Sequence, residues 1–547
     1  MNEHNLLGKI PDSWCAAKLG EIAIGLSPGF PCGKHNKQGI GVPHLRPMNI
    51  LSRGEISLYD LKYVEASDYT SLKAGDILFN NTNSPALLGK TSYIRQDTNW
   101  AFSNHMTRIQ VDENNLSPAW IARYLHYLFE TGYFMANCTN HVNQASINTG
   151  FLSTRVRVPI PPLSEQHRIV DKIEELFTQL DVGIEELRKA QAQLKRYRQA
   201  VLKAAVTGEL TKEWRERTTS CQLVEPQQQA ASLLYVEPAE KLLARILNER
   251  RMKWEADQVK KMKASGKTVT NVDWKARYRE PQSPDLKQMP ALPAAWQWAR
   301  LDALALIKGG ITKDSKRKIK GRLVPYLRVA NVQRGYLDLS IMKEIKATKG
   351  EILDLKLEQG DVLFTEGGDR DKLGRGWVWN DELPECIHQN HIFRGRLYSK
   401  EMSARFISFF SNTCGLDYFL REGKQTTNLA SINMTKLSGL PVPVPPAKEQ
   451  EIIVSEIERC ISIADALLQT IEQSLKQAER IRQSILKQAF EGKLVPQDPN
   501  DEPAEVLLER IKAERVEREA QKRAASKLNG PRSRKNTKRM RTNRLTR

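Results

Sequence analysis

Two proline pairs can be tested against the catalytic segment of a DNA adenine methyltransferase. Such an enzyme needs a polar head, two prolines and an aromatic residue: the head bonds the target amine while the ring stacks on the flipped base. The pairs here read Ile160-Pro161-Pro162-Leu163 and Val444-Pro445-Pro446-Ala447. Both lack head and ring, so they read as stiff starts to helices. Gly89-Lys90-Thr91 has the look of the end of a phosphate-binding loop, but Ser84 stands where that loop needs a glycine for its amides to cradle phosphate. His388-x-x-His391 has neither neighbouring cysteines nor a third patterned ligand, which suits hydrogen-bonded core or loop histidines better than a metal. GxSxG and HExxH segments do not occur. The expectation is a chain with no catalytic residue, no metal and no cofactor of its own.

Recognition chemistry is better represented. Asn and Arg can make paired hydrogen bonds to adenine and guanine edges. The polar loop Asn80-Asn81-Thr82-Asn83-Ser84 follows Gly75-Asp76-Ile77-Leu78-Phe79, with Lys90 shortly beyond. Thr365-Glu366-Gly367-Gly368-Asp369-Arg370-Asp371-Lys372, with Arg375 beyond it, follows Gly360-Asp361-Val362-Leu363-Phe364. A third pair of loops is Asn137–Gln144 and the run Lys424, Gln425 to Asn428. Surface turns share this composition, so both readings stand. The stretch from Lys313 to Arg322 packs six positive charges into ten residues, including Lys316, Arg317, Lys318, Lys320 and Arg322. It is expected to touch phosphate; the alternative is a solvated loop.

These candidates sit in a chain written twice. Pro11, Trp14, Leu19 and Ala23 recur in spacing at Pro293, Trp296, Leu301 and Ala305. Val42-Pro43-x-Leu45-Arg46-x-x-Asn49 is matched by Val324-Pro325-x-Leu327-Arg328-x-x-Asn331, and Ala145-Ser146-Ile147-Asn148 by Ala430-Ser431-Ile432-Asn433. The Pro-Pro-x-x-Glu-Gln segments ending at Gln166 and Gln450 pair, as do Arg198-Gln199-x-x-Leu202-Lys203 and Arg482-Gln483-x-x-Leu486-Lys487. Most pairs lie 282 to 286 residues apart. Glu237-Pro238-Ala239-Glu240 and Glu502-Pro503-Ala504-Glu505 are closer, as if the second copy had lost part of a loop.

Each copy opens with short β-like runs broken by Gly, Pro and Asn, with one helical stretch, Pro118–Phe129 or Ala404–Ser411. A long helix follows, with Glu165 or Glu449 in its first turn, where the positive helix end favours acid. Heptad positions in the first are Leu176, Leu180, Gly183, Leu187, Ala190, Leu194, Tyr197, Val201 and Ala204. In the second they are Ile457, Cys460, Ala464, Leu467, Ile471, Ser474, Ala478, Ile481, Ile485 and Gln488. That 3–4 spacing predicts a coiled coil, and the small seam residues suggest close, antiparallel packing. A helix of about 43 residues would span ~65 Å.

Composition agrees. Lys and Arg number 84 against 64 Asp and Glu, a net charge of +20, which points to a polyanionic partner, nucleic acid rather than membrane. The start has neither a basic n-region nor a long apolar stretch, and no apolar run approaches membrane-spanning length. Seven scattered cysteines without a CxxC pair suit reduced thiols in a cytoplasm.

In this ordered, duplicated set of motifs the chain resembles the specificity (S) subunits of type I restriction–modification enzymes, over nearly its whole length. The resemblance implies an α+β architecture with internal pseudo-twofold duplication. Two mixed α/β target recognition domains (1–160 and 291–445) would alternate with two helices (161–211 and 446–494) that pair as an antiparallel coiled coil. It leaves a charged connector (212–290), longer than the family leads one to expect, and a helical segment with a basic tail (495–547). Each domain would read one half of an asymmetric site on double-stranded DNA. The helices would dock two methyltransferase (M) subunits, joined by two restriction/translocase (R) subunits. S-adenosylmethionine, ATP and Mg2+ would serve those partners, which methylate adenine and cleave unmodified DNA.

Overall fold

The computed structural model describes residues 10–31, 34–65, 69–142, 144–223, 237–266, 272–313, 320–368, 372–425 and 430–528. Two compact units emerge, Met1–Leu187 with Gln473–Arg547, and Arg188–Glu472.

In the first unit an antiparallel sheet runs Gly25–Pro28, Met106–Gln110, Ile77–Asn80, Thr91–Tyr93. The strand Ile77–Asn80 is buried on both faces. Ile77 and Phe79 enter the main core with Trp120 and Phe134 of the covering helices, while Leu78 enters a second core with Leu45 and Phe102. A strand covered on both sides reads as a continuous apolar run rather than an alternation. Gly75 turns into it at φ +80°. Asp76 accepts from the Lys73 amide at 2.8 Å and from Gln110 Nε2 at 2.7 Å, closing the turn. A smaller sheet places Val42–Leu45 between Lys62–Val64 and the parallel Ala101–Phe102. A two-stranded ribbon joins Cys15–Lys18 to Arg157–Ile160.

The second unit has the same plan. Its large sheet runs Ala305–Gly309, Ile392–Leu397, Val362–Thr365, Gly376–Val378. Arg322–Leu327 lies between Lys343–Ala347 and the parallel Ile387–His388, and Gln297–Arg300 pairs with Pro441–Val444. Gly360 has φ +88°, and Asp361 accepts from the Glu358 amide at 2.8 Å and from both arms of Arg396. The Asn residues closing the Leu-Arg-x-x-Asn segments do the same work twice: Asn49 Oδ1 and Asn331 Oδ1 accept from the Arg46 and Arg328 amides, both at 2.9 Å. The fold is mixed α/β with two long helices.

Those helices, Leu163–Val206 and Ala447–Phe490, are 44 residues each. The repeated Glu-Gln pair explains how each leaves its domain. Glu165 Oε2 accepts from the Trp14 indole at 3.0 Å, and Glu449 Oε2 accepts from the Trp296 indole at 2.8 Å. Gln166 accepts from the Ser117 amide and donates to the Pro161 carbonyl. Gln450 does likewise with Ser403 and Pro445. Each latch fixes the direction of its helix against a strand ribbon and a capped helix.

The seam of the first helix differs from the expected one. Ile173, Phe177, Ile184, Val201 and Ala205 are buried, while Gly183 and Tyr197 are exposed. Counted from Ile173, the expected and observed registers share the buried Ile173 and Val201 and the half-buried Leu180, Leu187 and Leu194. They part at the alternate position, where a 4–3 rather than a 3–4 alternation takes in Phe177 and Ile184. Ile184 buries far more apolar area than Gly183, and Phe177 more than Leu176, so the helix turns that way. In the second helix Ile457, Cys460, Ala464, Ile471, Ala478 and Ile485 are buried as expected, and Leu467 and Ile481 are exposed. Within the first unit Arg482 lies over the Phe177 ring at 4.0 Å and pairs with Asp181 at 2.7 Å. Within the second, Arg198 pairs with Asp465.

The segments after the helices complete the cores. Ala239, Leu242 and Ile246 of the helix Ala239–Ala264 pack with Trp296 and Phe406, and Leu507 and Ile511 of the helix Ala504–Leu528 pack with Trp14 and Trp120. Gly208 and Gly492, with φ +84° and +68°, turn the chain against Pro293 and Pro11; an added Cβ would meet those rings at 2.6 and 2.3 Å. Among the described residues no helix is long and apolar enough to cross a membrane.

Candidate nucleic-acid interface

Each domain carries a small three-stranded sheet built from loops rather than core strands. In the first, Ala145–Ser146 lies between Thr139–Asn140 and Thr82–Asn83. In the second, Ala430–Ser431 lies between Lys424–Gln425 and Gly367–Gly368. The polar loop after the central strand and the loop ahead of the Ala-Ser-Ile-Asn segment, far apart in sequence, are thus laid on either side of the Ala-Ser strand in both domains. Asn148 and Asn433 anchor this arrangement by capping the following helices, accepting from the Phe151 and Lys436 amides at 2.7 and 2.8 Å.

The platform of the first domain is polar and open. Thr139, Asn140, His141, Val142 and Gln144 are exposed, and Thr82, Asn83 and Ser84 run from half-buried to exposed. His141 Nε2 lies 3.1 Å from Ser146 Oγ, and the His141 amide donates to the Gln144 carbonyl. Asn81 is turned inward, its amide donating to Thr107 Oγ1 at 2.9 Å and its Oδ1 accepting from Thr82. Asn80 is fully enclosed and donates to the Leu87 carbonyl at 2.9 Å. Lys90 is also buried, with Nζ on the Ile50 carbonyl, and burial pushes its pKa below the usual lysine range. Of the residues singled out by sequence in this domain, the platform brings together Thr82, Asn83 and Ser84, while Asn80, Asn81 and Lys90 face the interior.

In the second domain Thr365 is buried, its hydroxyl donating to the Lys372 and Arg375 carbonyls. Arg375 donates to the Val329 carbonyl at 3.1 Å, and Lys372 is half-buried. The backbone of Lys424 and Gln425 forms a platform edge. Glu366, beside the Gly367–Gly368 strand, holds His391 Nδ1 at 2.5 Å. His388 instead points into the core, bonded to the Ile392 carbonyl at 2.9 Å, and burial lowers its pKa to about 4. The two histidines therefore face different surroundings. Lys320 and Arg322 are exposed, the latter paired with Glu385. Lys316, Arg317, Lys318, Arg370 and Asn428 lie outside the described residues.

Residues 11–193 and 293–477 match the family described as the type I restriction modification DNA specificity domain. The chain belongs to that family. Among type I specificity subunits, that of StySPI from Salmonella potsdam is 24% identical over 93% of this chain and 97% of its own length. The EcoKI subunit from Escherichia coli K12 is 24% identical over 93% and 97%, and the EcoBI subunit from Escherichia coli is 26% identical over 94% and 95%. A chain from a structure described as the basis of complex assembly and conformational transition of the type I R-M system superposes with a TM-score of 0.57 at 18% identity, covering 89% of this chain and 100% of its own. The HsdS subunit from Thermoanaerobacter tengcongensis gives 0.52 at 16%, covering 89% and 98%. The two matched stretches of the specificity family each contain one platform and the start of one long helix.

Sequence reasoning missed the latch in this specificity chain. The Glu-Gln pair was legible only as a helix start, although the repeated Pro-x-x-Trp at Pro11–Trp14 and Pro293–Trp296 signalled a buried indole in need of an acceptor.

Proposed function

We propose that this chain is the non-catalytic DNA-reading subunit of a type I restriction–modification complex, with each domain reading one half of an asymmetric, bipartite site on double-stranded DNA. The observation that carries this is the doubled platform: one hydrogen-bonded frame, two different sets of residues. Thr82-Asn83 and Thr139-Asn140 in one domain stand where Gly367-Gly368 and Lys424-Gln425 stand in the other. Equal frames with unequal side chains suit two different short sequences. Phosphate contacts from the Lys313–Arg322 stretch, including Lys316, Arg317, Lys318 and Lys320, and base contacts from Arg370, Lys372, Arg375, Lys424, Gln425 and Asn428 belong to the same reading.

The duplicated plan and two paired helices support the remainder. The helices form an antiparallel coiled coil, a reading supported by Arg482 against Asp181 in one unit and Arg198 against Asp465 in the other. They dock two M subunits that methylate adenine with S-adenosylmethionine, and two R subunits use ATP and Mg2+ in the cytoplasm. Exchange of residues 11–160 for the equivalent domain of a relative tests the reading. Methylation mapping of the hybrid complex is expected to show one half of the recognition sequence changed and the other kept. A simultaneous change in both halves would refute it.

A further inference from the structure

The connector between the first long helix and the second domain carries a feature that neither the platforms nor the latches use. Residues 250–279 hold ten Lys or Arg against three Asp or Glu, a surplus of seven in a chain whose net charge is +20. The segment from 272 onward returns along the helix Ala239–Ala264 and is held there by an aromatic clasp. Trp254 meets Trp274 at 5.9 Å and Tyr278 edge-on at 5.3 Å. Arg250 and Arg251 lie over the Tyr278 ring, Arg250 and Lys253 over Tyr398, and Lys275 over Trp274. Lys275 also pairs with Glu255 at 2.8 Å, and Arg250 donates to the Arg279 carbonyl. The clasp consumes these cations in holding two strands of chain together and on the domain.

Five others are left over. Lys260, Lys261, Lys263, Arg277 and Arg279 are exposed, and their side chains have no acidic partner among the described residues. The negative end of the helix accounts for lysines in its last turn. It does not account for Arg277 and Arg279 on the returning segment, which lie beside residues 250–255. Helical rise places Lys261 about 15 Å from Arg251. Over that length a DNA duplex presents about nine phosphates, roughly half of them on a near side. Lysine is depleted at protein–protein interfaces and abundant against phosphate, which selects the partner.

We propose that this clasped hairpin is a sequence-independent duplex-DNA backbone contact. The proposal rests on the DNA-reading function above and adds to it a third surface, outside both platforms. The probe is duplex DNA bound by the full-length chain with any partner subunits it retains on purification, titrated across salt concentrations. Replacing Lys260, Lys261, Lys263, Arg277 and Arg279 by Gln is expected to lower the log–log salt slope by about 4, since about four to five phosphate contacts contribute about 0.9 each. Specific and random duplexes should weaken by the same factor, and methylation mapping should show the same target. Trp274→Ala leaves net charge unchanged but unpins the hairpin, and should lower the slope by part of that amount. Circular dichroism on both variants checks the fold. An unchanged slope in both variants would overturn the proposal. So would an unchanged slope with loss of a co-purifying protein, which would make this a protein dock. Absence of any DNA binding by the unsubstituted chain would instead refute the DNA-reading function itself.

Discussion

The two latches invite an unequal response to the same substitution. Glu449 is fully enclosed and receives three donors: the Trp296 indole at 2.8 Å, the Thr211 hydroxyl at 2.6 Å and the guanidinium of Arg215, whose side chain is 19% exposed. Glu449→Ala removes the acceptor that all three share; Arg215 keeps the Gly208 carbonyl and the Thr211 hydroxyl but loses its carboxylate, and breaking such a mostly buried pair costs about 3–5 kcal/mol. Glu165 is equally enclosed but receives only the Trp14 indole at 3.0 Å, and its Oε1 has no hydrogen-bond partner among the described residues. Burial pushes its carboxyl above the usual range, so part of its bond to Trp14 offsets the cost of desolvating it. Glu165→Ala removes one charge-assisted bond and that desolvation together, for a net cost of about 1 kcal/mol. The difference, about 2–4 kcal/mol, corresponds to a factor of roughly 30 to 1,000 in a local opening equilibrium. Native-state hydrogen exchange with mass spectrometry on the full chain reads it directly. Amides around Trp296 should exchange faster by that factor in Glu449→Ala than those around Trp14 do in Glu165→Ala. Equal acceleration at the two sites, or a greater one around Trp14, would refute the reasoning.

Other outcomes follow from the same geometry. Burial raises Glu130 to about 7, against the opposing charges of Arg482, Arg123 and Arg53 and with the like charge of Glu479, while burial lowers neighbouring His126 to about 4. A raised carboxyl makes stability fall as pH rises from about 4.5 to 7, and a lowered imidazole makes it fall as pH drops from about 6.5 to 4. Glu130→Gln should therefore remove the first slope and leave the second, as read by urea unfolding across pH. Gly89 has φ +95°, and a Cβ there would lie 2.3 Å from Phe134, so Gly89→Ala should lower the melting temperature of the chain by several degrees. Replacing Lys316, Arg317, Lys318 and Lys320 by Gln should flatten the salt dependence of DNA binding without changing the methylated sequence. The isolated chain should neither bind S-adenosylmethionine in calorimetry nor transfer methyl groups to DNA until an M subunit is added.

The repeat made much of the frame legible, because motif order survives where single motifs say little. Pro161-Pro162 reads as the start of a helix, and the structure has one from Leu163; the strand just ahead of it is Arg157–Ile160. The choice between seam positions 176 and 177 was not decidable from spacing, since Leu and Phe are both apolar, and in the structure Arg123 and Arg482 both pack over the Phe177 ring. The site was harder. Asn80 and Lys90 looked like recognition residues by type, but a strand buried on both faces leaves its polar end no open side. Nothing local in the sequence says that Thr82 and Thr139 lie on two strands that flank Ala145–Ser146, a relation set by strand pairing over some sixty residues.

The closing helix, whose Leu507 and Ile511 fill the core of the first domain, carries a consequence for the making of the protein. Asn115 bonds Arg510 across 395 residues of chain. At ~5–20 residues per second a ribosome needs about 20 to 80 s to span that distance. The domain synthesised first therefore waits, its Trp14 and Trp120 uncovered, while the contiguous second unit from Arg188 to Glu472 is completed. A nascent chain released between residues 472 and 485 would hold a complete second unit and a first one whose core lacks Ile485, Phe490, Leu507 and Ile511.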